Sequence, residues 1–424
     1  MFTTYYRVFL LLIISNTLIF SSLAQYKSFP FGQKIRTLQV KVSGDNPFSL
    51  PIIDLGGNQQ IELSFDELSH DIHNYYYTVE HCTADWTPSM LSPLEWADGF
   101  TTDLPITDVL QSTNTTMNYT HYRLSLPNDE LSFKISGNYA ISIYKDSEPE
   151  KKIAVGCFSI VDSKISIDAQ VRGNTDIDIR GKMQQIDFYL HTGSYAIDNP
   201  STELKITVQQ NGRLDNMVKN LSPTYISGSK LSYINNKALI FEGGNEYHTL
   251  DISSIYAYGE RVNKVRFYDP YYHAELFPNS IDPYKTYTYH KEVNGKIVIN
   301  IQEYNQDDTW ADYLLVHFAL PAENPIFDGQ IYLLGGLNYN QLNETVRMEY
   351  NTQNKTYEKT VLLKQGGYNY LYGFVPKGST KALLQPIESS HWETENEYTI
   401  YVYHRGFGDR YDKLIAVKVL QSGE

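Results

Sequence analysis

Cysteine is nearly absent from this sequence, which has only Cys82 and Cys157 among 424 residues. Two thiols exclude a disulfide scaffold, and domains of ordinary size do not need one. The two residues either form one disulfide with each other or are two small buried apolar residues, and we favour the second interpretation.

Long apolar runs, basic runs and helical periodicity are also scarce. After residue 24 no segment approaches the roughly 18 apolar residues that a membrane span requires, so we expect no direct membrane insertion. Lysine and arginine total 35 against 49 acidic residues, a net charge of −14. Because such a surface repels phosphates, we also expect no nucleic-acid partner.

Residues 1–24 have the pattern of a cleaved secretory signal peptide. Arg7 precedes the apolar run Val8–Ile14, and Ser22-Leu23-Ala24 is a small-x-small cleavage site. Cleavage after Ala24 leaves Gln25 first, which is not a cysteine that could carry a lipid. The pattern predicts an exported chain without a lipid anchor.

Tyrosine is abundant, with 36 copies spread through strand-like segments that also contain Ile, Val and Thr. This composition, with alternating polar and apolar positions, predicts an all-β fold of tandem, Ig-like β-sandwiches. We place three domains at residues 25–163, 164–294 and 295–424. The last has a pattern similar to the Ig-like or starch-binding-like β-sandwich.

Motifs for catalysis or metal binding are missing. There is no Gly-x-Ser-x-Gly, phosphate-binding or dinucleotide-binding glycine motif, and no Cys-x-x-Cys or His-Glu-x-x-His pair. His81 and Cys82 are adjacent, but neighbours on a strand point to opposite faces and make a poor zinc site. We therefore expect no enzyme activity, no catalytic residues, no cofactor and no metal.

The segment Tyr75–Phe100 is the most distinctive part of the chain. Tyr75, Tyr77 and Val79 alternate with more polar residues, which predicts a half-buried strand ending near Cys82. A turn-rich loop follows. The segment resembles the opening domain of the type IX secretion plug proteins at His81, Cys82, Asp85, Trp86, Ser89, Leu91, Ser92, Glu95, Trp96, Gly99 and Phe100.

The likeness continues beyond this segment and covers nearly all of the chain after residue 24. It is carried further by Gly243–Tyr247, Asp269–Tyr271 and the C-terminal His404–Asp412. The resemblance implies a non-enzymatic periplasmic protein whose partner is the outer-membrane barrel of the type IX translocon. There it would cap the periplasmic mouth of the barrel and limit leakage, and it would need no small-molecule ligand.

Two aromatic groups are candidate partner-interface residues. Trp86, Trp96 and Phe100 share one turn-rich segment, and Tyr271, Tyr272 and Phe277 share another. Exposed aromatic residues of this kind are typical interface anchors. The alternative for the two tryptophans is that they fold inward over the first core.

A second function stays open at this point. The segment from Gly329 to Phe374 contains aromatic residues at predicted strand positions. These residues belong either to a plain sandwich core or to a carbohydrate-binding module of an outer-membrane glycan-uptake system. Tyr339 is the main aromatic residue near its glycine turn.

Overall fold

The structure is a computed structural model that describes residues 25–146, 148–303 and 308–422. The predicted signal peptide lies outside these residues. The described chain is all-β, as predicted, and its strands form three β-sandwiches. Its helices are single turns at Pro93–Trp96, Pro200–Glu203 and Gln385–Glu388, with 3-10 turns at Lys237–Leu239, Asp308–Trp310 and Gly336–Asn338. None of these is long and apolar enough to cross a membrane.

The first sandwich is built by the part of the chain that precedes residue 162. Its strands are β1 (Phe29–Pro30), β2 (Ile35–Val42), β3 (Ile52–Asp54), β4 (Ile61–Glu67), β5 (Tyr75–Cys82), β6 (Ala97–Gly99), β7 (Leu104–Pro105), β8 (Asp108–Gln111), β9 (Thr120–Leu126), β10 (Leu131–Phe133), β11 (Gly137–Lys145) and β12 (Lys152–Val161). One sheet has the order β1-β12-β11-β5-β7, with β3 beside β12, and the other has the order β2-β4-β9-β8. Strands β6 and β10 pair separately.

Apolar side chains at alternating positions along these strands fill the first core. Phe65 of β4 and Tyr122 of β9 stack with ring centroids 5.1 Å apart, and Tyr77 and Val79 of β5 face the same core. The segment predicted as a half-buried strand is β5, which ends at Cys82 as expected.

The second sandwich takes its strands from two distant parts of the chain. The first part supplies β13 (Ser166–Arg172), β14 (Met183–His191), β15 (Leu204–Gln210), β16 (Val218–Lys219), β17 (Tyr225–Ser227), β18 (Lys230–Tyr233) and β19 (Ile240–Glu242).

The third sandwich follows, with β20 (His248–Asp251), β21 (Val262–Tyr268), β22 (Tyr271–Leu276), β23 (Ile297–Ile299), β24 (Tyr313–Pro321), β25 (Gly329–Leu334), β26 (Glu349–Asn351), β27 (Thr356–Lys364) and β28 (Gly366–Pro376). The last strands, β29 (Glu397–His404) and β30 (Lys413–Gln421), return to the second sandwich.

The return of β29 and β30 is visible in both pairing and packing. Strand β29 pairs antiparallel with β15, and the second core combines Ile206 and Phe188 with Ile400 and Val402. The third core takes its buried residues from 250–387. The cores therefore group the chain differently from our division at residue 295, because β20, β21 and β22 belong to the third sandwich and the last two strands complete the middle one. The domain boundaries themselves stay a prediction.

Each sandwich contacts both of the others. Ala84 and Val161 of the first pack against Tyr403 and Leu414 of the second. The Lys296 ammonium lies 2.6 Å from the Glu397 carboxylate, which joins the third sandwich to the second.

The first and third sandwiches are joined by buried and partly buried hydrogen bonds. The Asp312 carboxylate accepts from the backbone N–H of Thr116 at 2.7 Å and of Met117 at 3.2 Å. The Tyr119 hydroxyl donates to the Ala311 carbonyl at 2.8 Å. Contacts between every pair of sandwiches, most of them buried or partly buried, oppose movement of one sandwich against another.

Candidate interaction surfaces

The structure separates the first predicted aromatic group. Trp96 is 3% exposed and belongs to the first core, where its ring lies 5.7 Å from that of Tyr139. Trp86 is half-buried with a left-handed φ of 63°, and its carbonyl accepts from the Tyr26 N–H at 2.8 Å. Phe100 alone is largely exposed. The alternative interpretation, in which the tryptophans fold inward over the first core, therefore describes Trp96.

His81, beside this loop, is a buried structural residue. Its Nδ1 lies 2.9 Å from the Ser89 hydroxyl, and its Nε2 is buried without a hydrogen-bond partner among the described residues. The rings of Tyr139 and Tyr411 lie edge-on to it at 5.1 and 5.5 Å. Burial lowers the pKa of His81 to about 4, so the imidazole is neutral at pH 7.

Cys82 and Cys157 are free thiols in the structure. They lie on β5 and β12, and β11 runs between those strands. Two strand spacings separate their backbones by roughly 10 Å, whereas a disulfide joins Cα atoms less than about 7 Å apart. The two residues instead share a small apolar cluster with Ala140 and Val155, in which Cys82 is buried and Cys157 is half-buried.

Exposed apolar side chains occur on the loop that precedes Phe100 and on the C-terminal loop that Arg410 joins to it. Met90, Leu94 and Phe100 expose 83%, 80% and 68% of their surface, and Phe407 is fully exposed. We call these four residues the loop patch.

An ion pair joins the two loops that carry the loop patch. The Arg410 guanidinium contacts the Glu95 carboxylate and donates to the Met90 carbonyl at 3.0 Å. The sequence pattern did not indicate Met90, Leu94 or Phe407 as candidate interface residues. For Phe407 a signal existed, because glycines flank it on both sides and favour an exposed loop tip.

The second predicted aromatic group lies on and beside the hairpin of β21 and β22. Tyr271 and Tyr272 are half-buried, and the Tyr272 ring lies 5.1 Å from that of Phe267. Phe277 is exposed just after β22, where its N–H donates to the Arg261 carbonyl at 2.9 Å.

More exposed aromatic residues lie on this hairpin than the sequence indicated. Phe267 and Tyr268 are exposed on edge strand β21, and the exposed Tyr258 donates from its hydroxyl to the Val265 carbonyl at 3.3 Å. We call Tyr258, Phe267, Tyr268, Tyr271 and Tyr272 the aromatic hairpin. Whether β21 is an edge strand depends on which strands pair, and its local sequence does not show that.

The neighbouring acidic residues Asp409 and Asp412 are both engaged in ion pairs. Asp409 lies 2.8 Å from the Lys413 ammonium, and Asp412 lies 2.9 Å from that of Lys205. Over the described ranges 25–146, 148–303 and 308–422, no cluster of three His, Cys, Asp or Glu residues is arranged to hold a metal ion.

Comparison with known proteins places this tandem-sandwich chain in a family. The family model for the type 9 secretion system plug protein 1st domain matches residues 35–162, which is the first sandwich from β2 to just past β12. A crystal structure of a hypothetical protein from Parabacteroides merdae is 44% identical and superposes with a TM-score of 0.92, covering 94% of this chain and 100% of that one. No curated protein matches. The chain belongs to the type IX secretion system plug protein family.

Proposed function

We propose that this chain is an exported, non-enzymatic periplasmic protein that caps the periplasmic mouth of the type IX translocon barrel and limits leakage through it. Family membership is the observation that carries the proposal. The architecture of the molecule supports it, because a cap must resist deformation and each sandwich is joined to the other two by buried or partly buried contacts.

The loop patch and the aromatic hairpin are the surfaces that we assign to the barrel contact. Soluble proteins rarely expose clustered large apolar side chains unless these side chains meet a partner. The loop patch has such side chains on two loops, and the Glu95–Arg410 pair connects those loops. Aromatic anchors at interface centres typically cost about 2 kcal/mol or more when truncated.

The proposal is tested by isolating a tagged chain from envelope extracts. We expect a very large outer-membrane barrel protein to co-purify, and we expect Phe407→Ser combined with Leu94→Ser to reduce its recovery. Phe327→Ser is the matched control, because Phe327 is 88% exposed and lies outside both surfaces. If no barrel protein accompanies the unaltered chain, the capping proposal is wrong.

A further inference from the structure

A cleft of about 430 Å³ lies between the first and third sandwiches, and we call it the junction cleft. One wall is formed by β1, β2 and the turn between them. The opposite wall is formed by β23, β27 and the 3-10 turn Gly336–Asn338. Small-molecule sites are common where domains meet, and their volumes run from about 300 to 1,000 Å³. The junction cleft therefore has the position and the size of a ligand site.

The walls of the junction cleft are mainly apolar. Phe29 and Phe31 line it from the first sandwich, and Tyr339 and Leu337 line it from the third. The Phe29 ring contacts those of Phe31 and Tyr339, with ring centroids 5.6 Å apart in both cases. Phe31 remains 57% exposed, so apolar surface is left for a ligand to cover. Burial of that surface favours a ligand with a hydrocarbon or aromatic body.

Arg36 of β2 gives the junction cleft a positive charge. Its side chain lines the cleft and is half-buried. Within the described part of the chain, its guanidinium donates only to the Ile35 carbonyl, at 2.7 Å. The other charged side chain of the lining, Lys364, is already paired with Asp66. No Asp or Glu is among the described residues that line the cleft, although the chain has 49 of them.

The acidic residue that faces Arg36 in the sheet is fully engaged elsewhere. Asp66 lies opposite Arg36 in the pairing of β2 with β4. Its carboxylate lies 2.6 Å from the Lys364 ammonium, which balances its single charge. It also contacts His121 at 2.6 Å and accepts from the Tyr313 hydroxyl at 2.7 Å. The Arg36 guanidinium therefore keeps unused donors, in a planar arrangement that matches the two oxygens of a carboxylate.

A β-bulge lies at Arg36. The register of β2 against β4 shifts between Arg36 and Gln39, and Thr37 has a left-handed φ of 48°. This conformation is rare for a β-branched residue. The Thr37 hydroxyl lies 2.6 Å from that of Tyr313, so the third sandwich helps to hold the bulge. Bulges redirect neighbouring side chains, and this one lies at the residue whose guanidinium lines the junction cleft.

These features select one ligand chemistry. The guanidinium suits one carboxylate, and the apolar walls suit a hydrocarbon or aromatic body. A cation is disfavoured by Arg36, and an uncharged apolar molecule would leave the guanidinium without a partner. Thr345 and Thr360 also line the cleft, but their hydroxyls already contact Asn343 and His317. Few groups are therefore left for the many oxygens of a sugar or a phosphate.

We propose that the junction cleft binds a small apolar monocarboxylic acid, either a medium-chain fatty acid or an aryl-substituted acid. The carboxylate pairs with Arg36, and the apolar body lies against Phe29, Phe31 and Leu337. The proposal departs from our expectation of no small-molecule ligand. It does not depend on the capping function.

The test is calorimetric titration of the purified full chain with octanoate, decanoate, 4-phenylbutyrate and indole-3-propionate. We expect saturable binding of at least one of these acids. Its primary amide should bind at least tenfold more weakly, because the amide cannot form a charge-assisted pair with Arg36. Tighter binding of decanoate than of either aryl acid identifies a fatty acid as the ligand, and the reverse order identifies an aryl acid.

Arg36→Met tests the charged part of the site. This variant should weaken the affinity for the bound acid about tenfold or more, equivalent to about 1.4 kcal/mol. Lys34→Met is the matched control, because it removes the same charge two positions away from an exposed residue that does not line the cleft. It should leave the affinity unchanged.

Phe31→Ser tests the apolar part of the site on a side chain that is already largely exposed. It should weaken binding several-fold, whereas Phe327→Ser, on an exposed residue outside the cleft, should not. Equal affinities of these two variants would overturn the placement of the ligand in the junction cleft.

The proposal is overturned if no acid of the panel binds at about 10 mM. It is equally overturned if an acid and its amide bind with the same affinity, or if Arg36→Met binds the acid as tightly as Lys34→Met does. The comparison of acid with amide uses the unaltered chain, so it decides the question even where Arg36→Met fails to fold.

Discussion

The Asp66 carboxylate lies 2.6 Å from the Lys364 ammonium, and both side chains are 1% exposed. Asp66 belongs to β4 of the first sandwich and Lys364 ends β27 of the third. His121 at 2.6 Å and the Tyr313 hydroxyl at 2.7 Å complete the contacts of the carboxylate. Burial alone would raise the pKa of Asp66, but the Lys364 charge and the His121 contact outweigh it and the pKa is lowered.

Removing one member of this pair should destabilise the protein strongly. Lys364→Met leaves the Asp66 carboxylate buried without its cation, and breaking a buried pair in this way costs about 3–5 kcal/mol. Chemical denaturation measures the change. Lys355→Met is the control, because Lys355 pairs with Glu323 on an exposed surface, where a pair contributes less than about 1 kcal/mol. Equal effects of the two substitutions would contradict the role of the buried pair.

The stability of the protein should decrease between pH 6.5 and pH 4 because of His81. Burial lowers the pKa of His81 from 6.5 to about 4, so below pH 6.5 the unfolded chain binds this proton more readily than the folded chain does. The contribution is fully present above pH 6.5 and decreases by about 3 kcal/mol as the pH falls to 4. Chemical denaturation at several pH values in this range should show that the free energy of unfolding falls less steeply with decreasing pH in His81→Gln than in the unaltered chain. Identical slopes would mean that His81 titrates normally.

Glu292 should produce the opposite pH dependence. Burial, with a further contribution from the Glu246 charge, raises the pKa of Glu292 to about 8. Its contribution to stability is therefore fully present below pH 4.5 and is lost as the pH rises through 8. Glu292→Gln should stabilise the protein at pH 9 by a few kcal/mol and have little effect at pH 4. A stabilisation of the same size at both pH values would show that the charge is not the cause.

Trp96 and Phe100 should respond very differently to truncation, although they lie four positions apart. Trp96→Ala empties part of the first core and should cost about 3–5 kcal/mol. Phe100→Ala removes an exposed ring and should change the free energy of unfolding by about 0.5 kcal/mol or less. Melting curves of both variants check this. A large loss of stability in Phe100→Ala would place that ring in the core.

The sequence was most informative where local alternation decides the structure. Strand β5 and its end at Cys82 follow from Tyr75, Tyr77 and Val79, and the all-β class follows from many such segments. The pairing of β29 with β15 had no local signal, because it joins strands separated by the whole third sandwich. Met90 and Leu94 of the loop patch were missed for a similar reason, because Arg410 joins their loop to one that is far away in the chain.

Permeability of the outer membrane tests the capping proposal most directly. In a strain that lacks this chain but contains the translocon barrel, we expect faster uptake of a large hydrophilic dye. The unaltered chain and Phe327→Ser should restore the barrier, whereas Phe407→Ser combined with Leu94→Ser should not, at an unchanged melting temperature. If the deletion strain stays impermeable while its barrel is present and unoccupied by other partners, the chain does not cap the translocon.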